Sequence, residues 1–157
     1  MLESNNIFIR KPIESDLDFV YNTENNHNLW KYGSENIEFS KKDILDFILN
    51  SKLPINLTQQ QRFIICKKNK SIGIIDLFNY NSKSVSLGIY IEEAYRKKGF
   101  AKESLKMLIS YCRDNLKLAY IYCSVKNNNI ASVRLFESLG FIQKSILDNT
   151  NYYVYSL

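Results

Sequence analysis

The densest chemistry in the chain lies in Ile89-Tyr90-Ile91-Glu92-Glu93-Ala94-Tyr95-Arg96-Lys97-Lys98-Gly99-Phe100-Ala101, an apolar strand, a short basic turn and the start of an amphipathic helix. A helix N-terminus presents unpaired N–H groups and the positive end of the helix dipole, so it attracts anions. Gly99 permits close backbone approach, Ala101 keeps the first turn small, and Arg96, Lys97 and Lys98 add positive charge. These are the requirements of a pyrophosphate. Neither GxxxxGK[ST] nor GxGxxG is present, so the segment is not a P-loop or a dinucleotide fingerprint. A basic connector with a tight-turn glycine is the plainer reading of the same residues. Other reactive side chains are sparse. The single histidine, His27, argues against a histidine-rich metal centre and offers only one partner for a Ser/His/Asp relay, so no metal is expected. Cys66, Cys112 and Cys123 form no CxxC pair and leave one thiol over in any pairing scheme, which points to a reducing cytoplasm.

Those residues need elements to hold them. Ile7 to Lys11 reads as a first strand ended by Pro12, and Ser15 or Asp16 can cap a helix bearing Leu17, Val20 and Tyr21. Ser40 caps a second helix with Ile44, Leu45, Phe47, Ile48 and Leu49, and Leu53 to Gln61 reads as a loop. Arg62 to Cys66, Ile72 to Tyr80 and Ser84 to Ile91 form a strand meander, with Lys67-Lys68-Asn69-Lys70 as a solvated turn. After Gly99, Ala101, Leu105, Leu108, Cys112 and Leu116 recur with helical spacing. Tyr120 to Val125 is a strand, Ile130 to Leu139 a helix stopped by Gly140, and Phe141 to Ile146 and Tyr152 to Leu157 are closing strands. The layout predicts an α/β fold, a mixed sheet with parallel pairing at both β-α-β steps.

The 157 residues fit one domain spanning 1–157, with no repeat, low-complexity tract or linker to divide it. Lys and Arg number 21 against 16 Asp and Glu, a net charge of +5 that suits an anionic ligand without a nucleic-acid surface motif. The polar start Met1-Leu2-Glu3-Ser4-Asn5-Asn6 is no signal peptide, and no apolar run approaches membrane-spanning length, so neither export nor a membrane is expected.

Two motifs in order carry a family resemblance. Arg96-x-x-Gly99-x-Ala101 follows a strand, and about thirty residues later comes Asn129-x-Ala131-Ser132, with Leu135-Phe136 leading to Gly140-Phe141. The chain resembles the GNAT superfamily of acyl-CoA-dependent N-acetyltransferases, within it the branch of ribosomal-protein N-terminal and spermidine acetyltransferases. The opening pattern of Ile7, Arg10 and Asp16 extends the resemblance over nearly the whole chain. It implies a mostly antiparallel central sheet of about six to seven strands with a splayed parallel pair, flanked by about four helices. It implies acetyl-CoA as cosubstrate, with the backbones of Ile89 and Ile91 pairing with the pantetheine arm. Lys97, Lys98, Gly99, Phe100 and Ala101 would then cradle the pyrophosphate, Arg96 and Lys98 would add charge, and Asn129 would approach the cofactor arm. A bulge at Gly88 would produce the splay.

The resemblance also shows what is missing. Phe136 stands where many relatives carry a tyrosine that protonates the leaving thiolate, and Ser84, Ser86 and Gly88 stand where relatives place a glutamate base. Asp76, on an otherwise apolar strand, and Glu35 are the remaining candidates for the base, while Trp30 and Tyr32 fall where the family covers its acceptor. The expected activity is N-acetylation of a primary amine, with a small amine such as a polyamine as acceptor. A protein N-terminus as acceptor and a CoA-binding sensor without catalysis remain open, as does a homodimer.

Overall fold

The structure, a computed structural model, describes residues 1–32 and 37–157, with nothing stated of the side chains of residues 30–32. Among the described residues the strands are β1 (Leu2–Glu3), β2 (Phe8–Arg10), β3 (Gln61–Lys67), β4 (Lys70–Phe78), β5 (Ser84–Ile91), β6 (Tyr120–Lys126), β7 (Ile142–Leu147) and β8 (Thr150–Ser156). The helices are α1 (Leu17–Glu24), α2 (Lys41–Asn50), α3 (Ile55–Thr58), α4 (Phe100–Asp114) and α5 (Ile130–Ser138). The sheet runs β1-β2-β3-β4-β5-β6-β8-β7, antiparallel everywhere except between β5 and β6. No helix among the described residues is long and apolar enough to cross a membrane.

Helices cover both faces. On one, α1 and α2 lay Val20, Ile44 and Ile48 against Ile64, Cys66 and Ile74. On the other, Leu105, Leu108 and Cys112 of α4 and Phe136 of α5 meet Ile75, Leu77, Val85, Leu87, Ile121 and Cys123. This is the alternation of β-strands, whose successive side chains point to opposite faces. Local signals act as expected in several places. The Ser40 hydroxyl accepts from the Asp43 amide while the Asp43 carboxylate accepts from the Ser40 amide, a capping box at the start of α2. Asp148 and Asn149, at φ 48° and 61°, make the tight turn joining β7 to β8.

Four expectations are corrected. The sheet has eight strands and there are five helices, because Leu2–Glu3 adds an edge strand and Pro54 starts a helical turn inside the segment read as a loop. Asp16 precedes α1 without a side-chain bond to its first turn, and its carboxylate instead takes two bonds from Arg10 and one from Ser71. The second β-α-β step yields no parallel pair, because β8 folds back from β7 and lies between it and β6. Gly88 carries no bulge. It pairs in register with Asp76, and the irregularity falls between β3 and β4, where Ile65 faces Gly73 and Cys66 faces Ser71.

Candidate functional site

β5 and β6 pair only through Ser84, Val85 and Ser86 against Tyr120, Ile121 and Tyr122. Beyond Ser86 each strand keeps its outer neighbour and loses the inner one, since Leu87 to Ile91 remain paired with β4 and Cys123 to Lys126 with β8. The result is a splayed parallel pair, with part of β5 edge lacking a strand partner among the described residues. The parting needs no bulge in β5. The two strands belong to opposite halves of a strongly connected sheet, and only three residue pairs hold them together.

The chain leaves β5 through the helical turn Glu93–Tyr95 and enters α4 across Arg96 to Gly99. Lys97 and Gly99 both take the left-handed conformation, at φ 59° and 85°, and Gly99 sits at the N-cap without a side-chain capping bond. A Cβ added to Gly99 would meet no described atom within 4 Å, so none of the described residues beyond its chain neighbours occupies the space in front of that backbone. The first-turn amides of a helix have no partner within it. Across Lys97, Lys98, Gly99, Phe100 and Ala101 the chain thus offers first-turn amides beside a space that no described residue fills, an arrangement suited to an anionic group such as a diphosphate. Phe100 is buried and anchors the helix start.

The basic side chains around it are organised rather than loose. Arg96 donates from Nε to the Ile91 carbonyl at 2.9 Å, which ties its guanidinium to the end of β5. Lys98 Nζ stands 5.7 Å from the Tyr95 ring centre. The β3–β4 turn, read from sequence as merely solvated, folds toward the same place: Lys70 lies 5.3 Å from Tyr95 and Lys67 4.8 Å from Phe100. Ile89 is half-buried and Ile91 buried on the face toward α4. Asn129 begins α5, its side-chain oxygen accepting from the Ser132 amide at 3.3 Å, so capping accounts for that oxygen.

The opposite face carries a different cluster. Arg62 faces Asp76 across β3 and β4, and Asp76 faces Gly88 across β4 and β5, so the three stand in one row running toward the splay. Arg62 donates from Nε and Nη2 to the two oxygens of Asp76 at 2.6 and 3.0 Å, and Nη2 also lies 2.8 Å from Glu24 Oε1 at the C-terminal end of α1. Phe47 of α2 stacks on the guanidinium, 4.6 Å from its carbon to the ring centre. Burial opposes the charge on Arg62, but Asp76 and Glu24 outweigh it and hold its pKa above the ordinary value. Phe47, Arg62, Asp76, Phe78 and Gly88 help to line a cavity of about 210 Å³ here. Sequence reading singled out Asp76 but passed over Arg62. The signal for it was a cation within an apolar strand, joined through a short turn to another strand with one carboxylate.

The remaining expected residues fall as follows. Glu35 lies outside the described residues, and Trp30 and Tyr32 belong to the helical turn His27–Tyr32, with only their backbone described. Phe136 is buried edge-on against Phe141, with ring centres 5.1 Å apart, and brings no hydroxyl to the site. Cys112 and Cys123 are buried in the core, and burial pushes both thiols up to about 12, so neither is a thiolate at neutral pH. His27 pairs with Glu38 at 3.0 Å on the surface. No group of three or more His, Cys, Asp or Glu arranged to hold a metal occurs among the described residues.

Residues 6–142 match the family described as acetyltransferase (GNAT) domain. The chain is 30% identical over 142 residues to a spermidine N(1)-acetyltransferase of Vibrio cholerae, covering 88% of this chain and 80% of that one. Among solved structures it resembles the spermidine N-acetyltransferase of Vibrio cholerae in complex with CoA and spermine, with a TM-score of 0.85 at 23% identity over 98% of this chain and 96% of that chain. It also resembles a ribosomal L7/L12 alpha-N-protein acetyltransferase in complex with CoA, with a TM-score of 0.83 at 16% identity over 98% and 96% of the two chains.

Proposed function

This chain belongs to the GNAT acetyltransferase family, and we propose that it moves the acetyl group of acetyl-CoA to a primary amine of a small polyamine by direct attack in a ternary complex. The observation that carries the reading is the parting of β5 and β6 beyond Ser86 and Tyr122, next to a turn whose amides face open space. In this reading the free edge of β5 at Ile89 and Ile91 pairs with the amides of the pantetheine arm as an added strand would. Lys97 to Ala101 hold the diphosphate through backbone N–H groups, with Arg96 and Lys98 adding charge and Asn129 bordering the arm. When bound, acetyl-CoA supplies an activated thioester carbonyl, and the chain's task is to align an amine with it.

That amine must be neutral. An alkylammonium with a pKa of about 10 pays roughly 4 kcal/mol to lose its proton at pH 7. Of the two carboxylates expected from sequence to take that proton, Asp76 and Glu35, only Glu35 is kept in that proposed role. The pairing of both Asp76 oxygens with Arg62 favours a charge-holding role for that residue, with water carrying the proton away. With Phe136 where relatives carry a phenol, the departing thiolate is protonated by solvent. Catalysis then rests on holding the amine and thioester at attack distance.

A polyamine acceptor is supported by the relative's activity and by the distribution of charge. Residues 1–50 hold nine acids and five bases, whereas residues 94–157 hold four acids and ten bases. The donor turn is thus in the basic part, and the helices beside the Asp76 cavity are in the acidic part. A protein N-terminus is the second reading, favoured by exposed Tyr122, Tyr152 and Ile142 on β6, β8 and β7, which leave room for a peptide. A thiol-release assay with acetyl-CoA across polyamines, aminosugars, amino acids and N-terminal peptides tests both. Polyamines should lead. Turnover of peptides in preference would transfer the assignment to the second reading, and no turnover with any amine would remove the enzyme reading.

A further inference from the structure

Two carboxylates share one guanidinium in the Arg62 cluster, so the group carries one uncompensated negative charge. Its burial is graded outward. The Arg62 side chain is 10% exposed, Glu24 27% and Asp76 35%. The cation is the most buried of the three, and Asp76, the most exposed, lines the cavity beside it, while Glu24 pairs with Arg62 from outside that lining. The other buried pair of this type has the reverse arrangement: Asp16 is 3% exposed and Arg10 24%, with the Asp16 carboxylate consumed by Arg10, Ser71 and the Ile13 amide. One pair is closed around its acid. The other presents it.

Resting on the acetyltransferase reading above, we infer that Arg62 is a positioning residue that fixes Asp76, with the charge of Glu24 added from outside the cavity lining, as the seat for the second, non-reacting ammonium of a diamine-type acceptor. The seat cannot serve the attacking nitrogen, because an adjacent carboxylate stabilises the protonated amine and removes the lone pair that attack requires. Distance assigns the remaining role. Asp76 is one strand from Gly88, and Gly88 borders the gap where the thioester would lie, so the seat is one to two strand spacings, about 5–10 Å, from the reaction. A chain of three or four methylenes bridges that span between two nitrogens. Gly88 leaves the path clear, since a Cβ there would meet only the Phe78 ring edge at 4.0 Å. Phe47 and Phe78 supply the apolar lining that such a methylene chain requires.

The test is steady-state kinetics of the full chain with 1,3-diaminopropane and 1,4-diaminobutane against propylamine and butylamine, with acetyl-CoA saturating. The wild-type kcat/KM should favour each diamine over its monoamine by tenfold or more. Arg62→Met should collapse that ratio mainly through a higher diamine KM, and Arg62→Lys, which keeps the charge but loses the fork, should restore it in part. If Arg62→Met fails to fold, Asp76→Asn provides the same ratio from a half-exposed position. Diamines and monoamines used equally well by the wild type, or losing equally in the variants, would overturn the proposal while leaving the acetyltransferase reading intact. Absence of turnover with every amine would bring down that reading first and this one with it.

Discussion

The proposed donor turn and the proposed acceptor cavity are built by opposite means. The turn from Arg96 to Ala101 is contiguous, and its binding groups are backbone amides set by two left-handed residues and a helix start. The cavity draws Phe47 from α2, Arg62 from β3 and Asp76 from β4, with Glu24 of α1 paired to Arg62 beside it, and the groups it offers are side chains. A diphosphate is the same in every molecule of the cosubstrate, so a backbone cradle serves regardless of the surrounding sequence. An amine acceptor differs between family members, and side chains converging from separate elements can be exchanged one at a time. The fixed chemistry rests on the main chain and the variable chemistry on side chains.

The largest expected effect breaks the donor half alone. Gly99→Val places a branched side chain in the open space before the amides and forces a strained left-handed valine. Loss of two charge-assisted hydrogen bonds at about 2 kcal/mol each would weaken acetyl-CoA binding roughly a thousandfold. Calorimetric titration measures it, with circular dichroism to verify the fold. Gly99→Asn, which tolerates the backbone angle, separates blocked approach from strain. Affinity close to wild type in both would place the phosphate cradle elsewhere.

The next effect tests whether presenting an acid differs from enclosing one. Asp16→Asn should cost about 3 kcal/mol of folding free energy, since it leaves Arg10 without its partner. Diamine KM should be unchanged, the reverse of what Asp76→Asn does. The pH dependence follows from the sign of the Asp16 shift. Burial opposes ionisation there, but Arg10 and the Ile13 amide prevail and hold the carboxyl below its ordinary value. The stabilisation is then complete above the unfolded pKa of about 3.9 and lost as pH falls through the lower folded value. Melting temperatures should drop below pH 4 in the wild type and change less in Asp16→Asn.

Ligand stabilisation should also distinguish the halves. Acetyl-CoA at 100 times its dissociation constant should add about 2.7 kcal/mol to stability. A diamine alone should add under about 1 kcal/mol at the same concentration, because the acceptor seat offers one net charge. The absence of a thermal shift at millimolar CoA would contradict the cosubstrate assignment. The smallest expected effect is that of Phe136→Tyr. If solvent protonates the thiolate, kcat should change by less than about threefold, or roughly 0.7 kcal/mol in barrier, with any gain confined to high pH. A large loss in a folded variant would give the Phe136 ring a packing role against the cosubstrate.

Signals within ten or fifteen residues were legible from sequence. The apolar stripe of α4, the Ser40 cap and the basic turn at Gly99 each depend on neighbours along the chain, and the structure holds all three. The splay could be expected only through family resemblance, because three pairs of residues in strands a helix apart produce it. The place of β8 between β6 and β7 was not written in local pattern either, since a hairpin can fold to either side of the preceding strand.

The acceptor row shows the limit most clearly. The sequence determined that a cation at Arg62 and an acid at Asp76 would interrupt two apolar strands joined by a short turn. Counting back evenly from the Lys67–Lys70 pair would set Arg62 opposite Ile75, with Asp76 on the other face. One extra residue on β4, the shift between the Cys66–Ser71 and Ile65–Gly73 pairs, brings Arg62 opposite Asp76 instead. Only the tertiary structure decided this, because the register is chosen by which side chains the helices bury on each face. A slip of one residue turns every later side chain to the opposite side of the sheet.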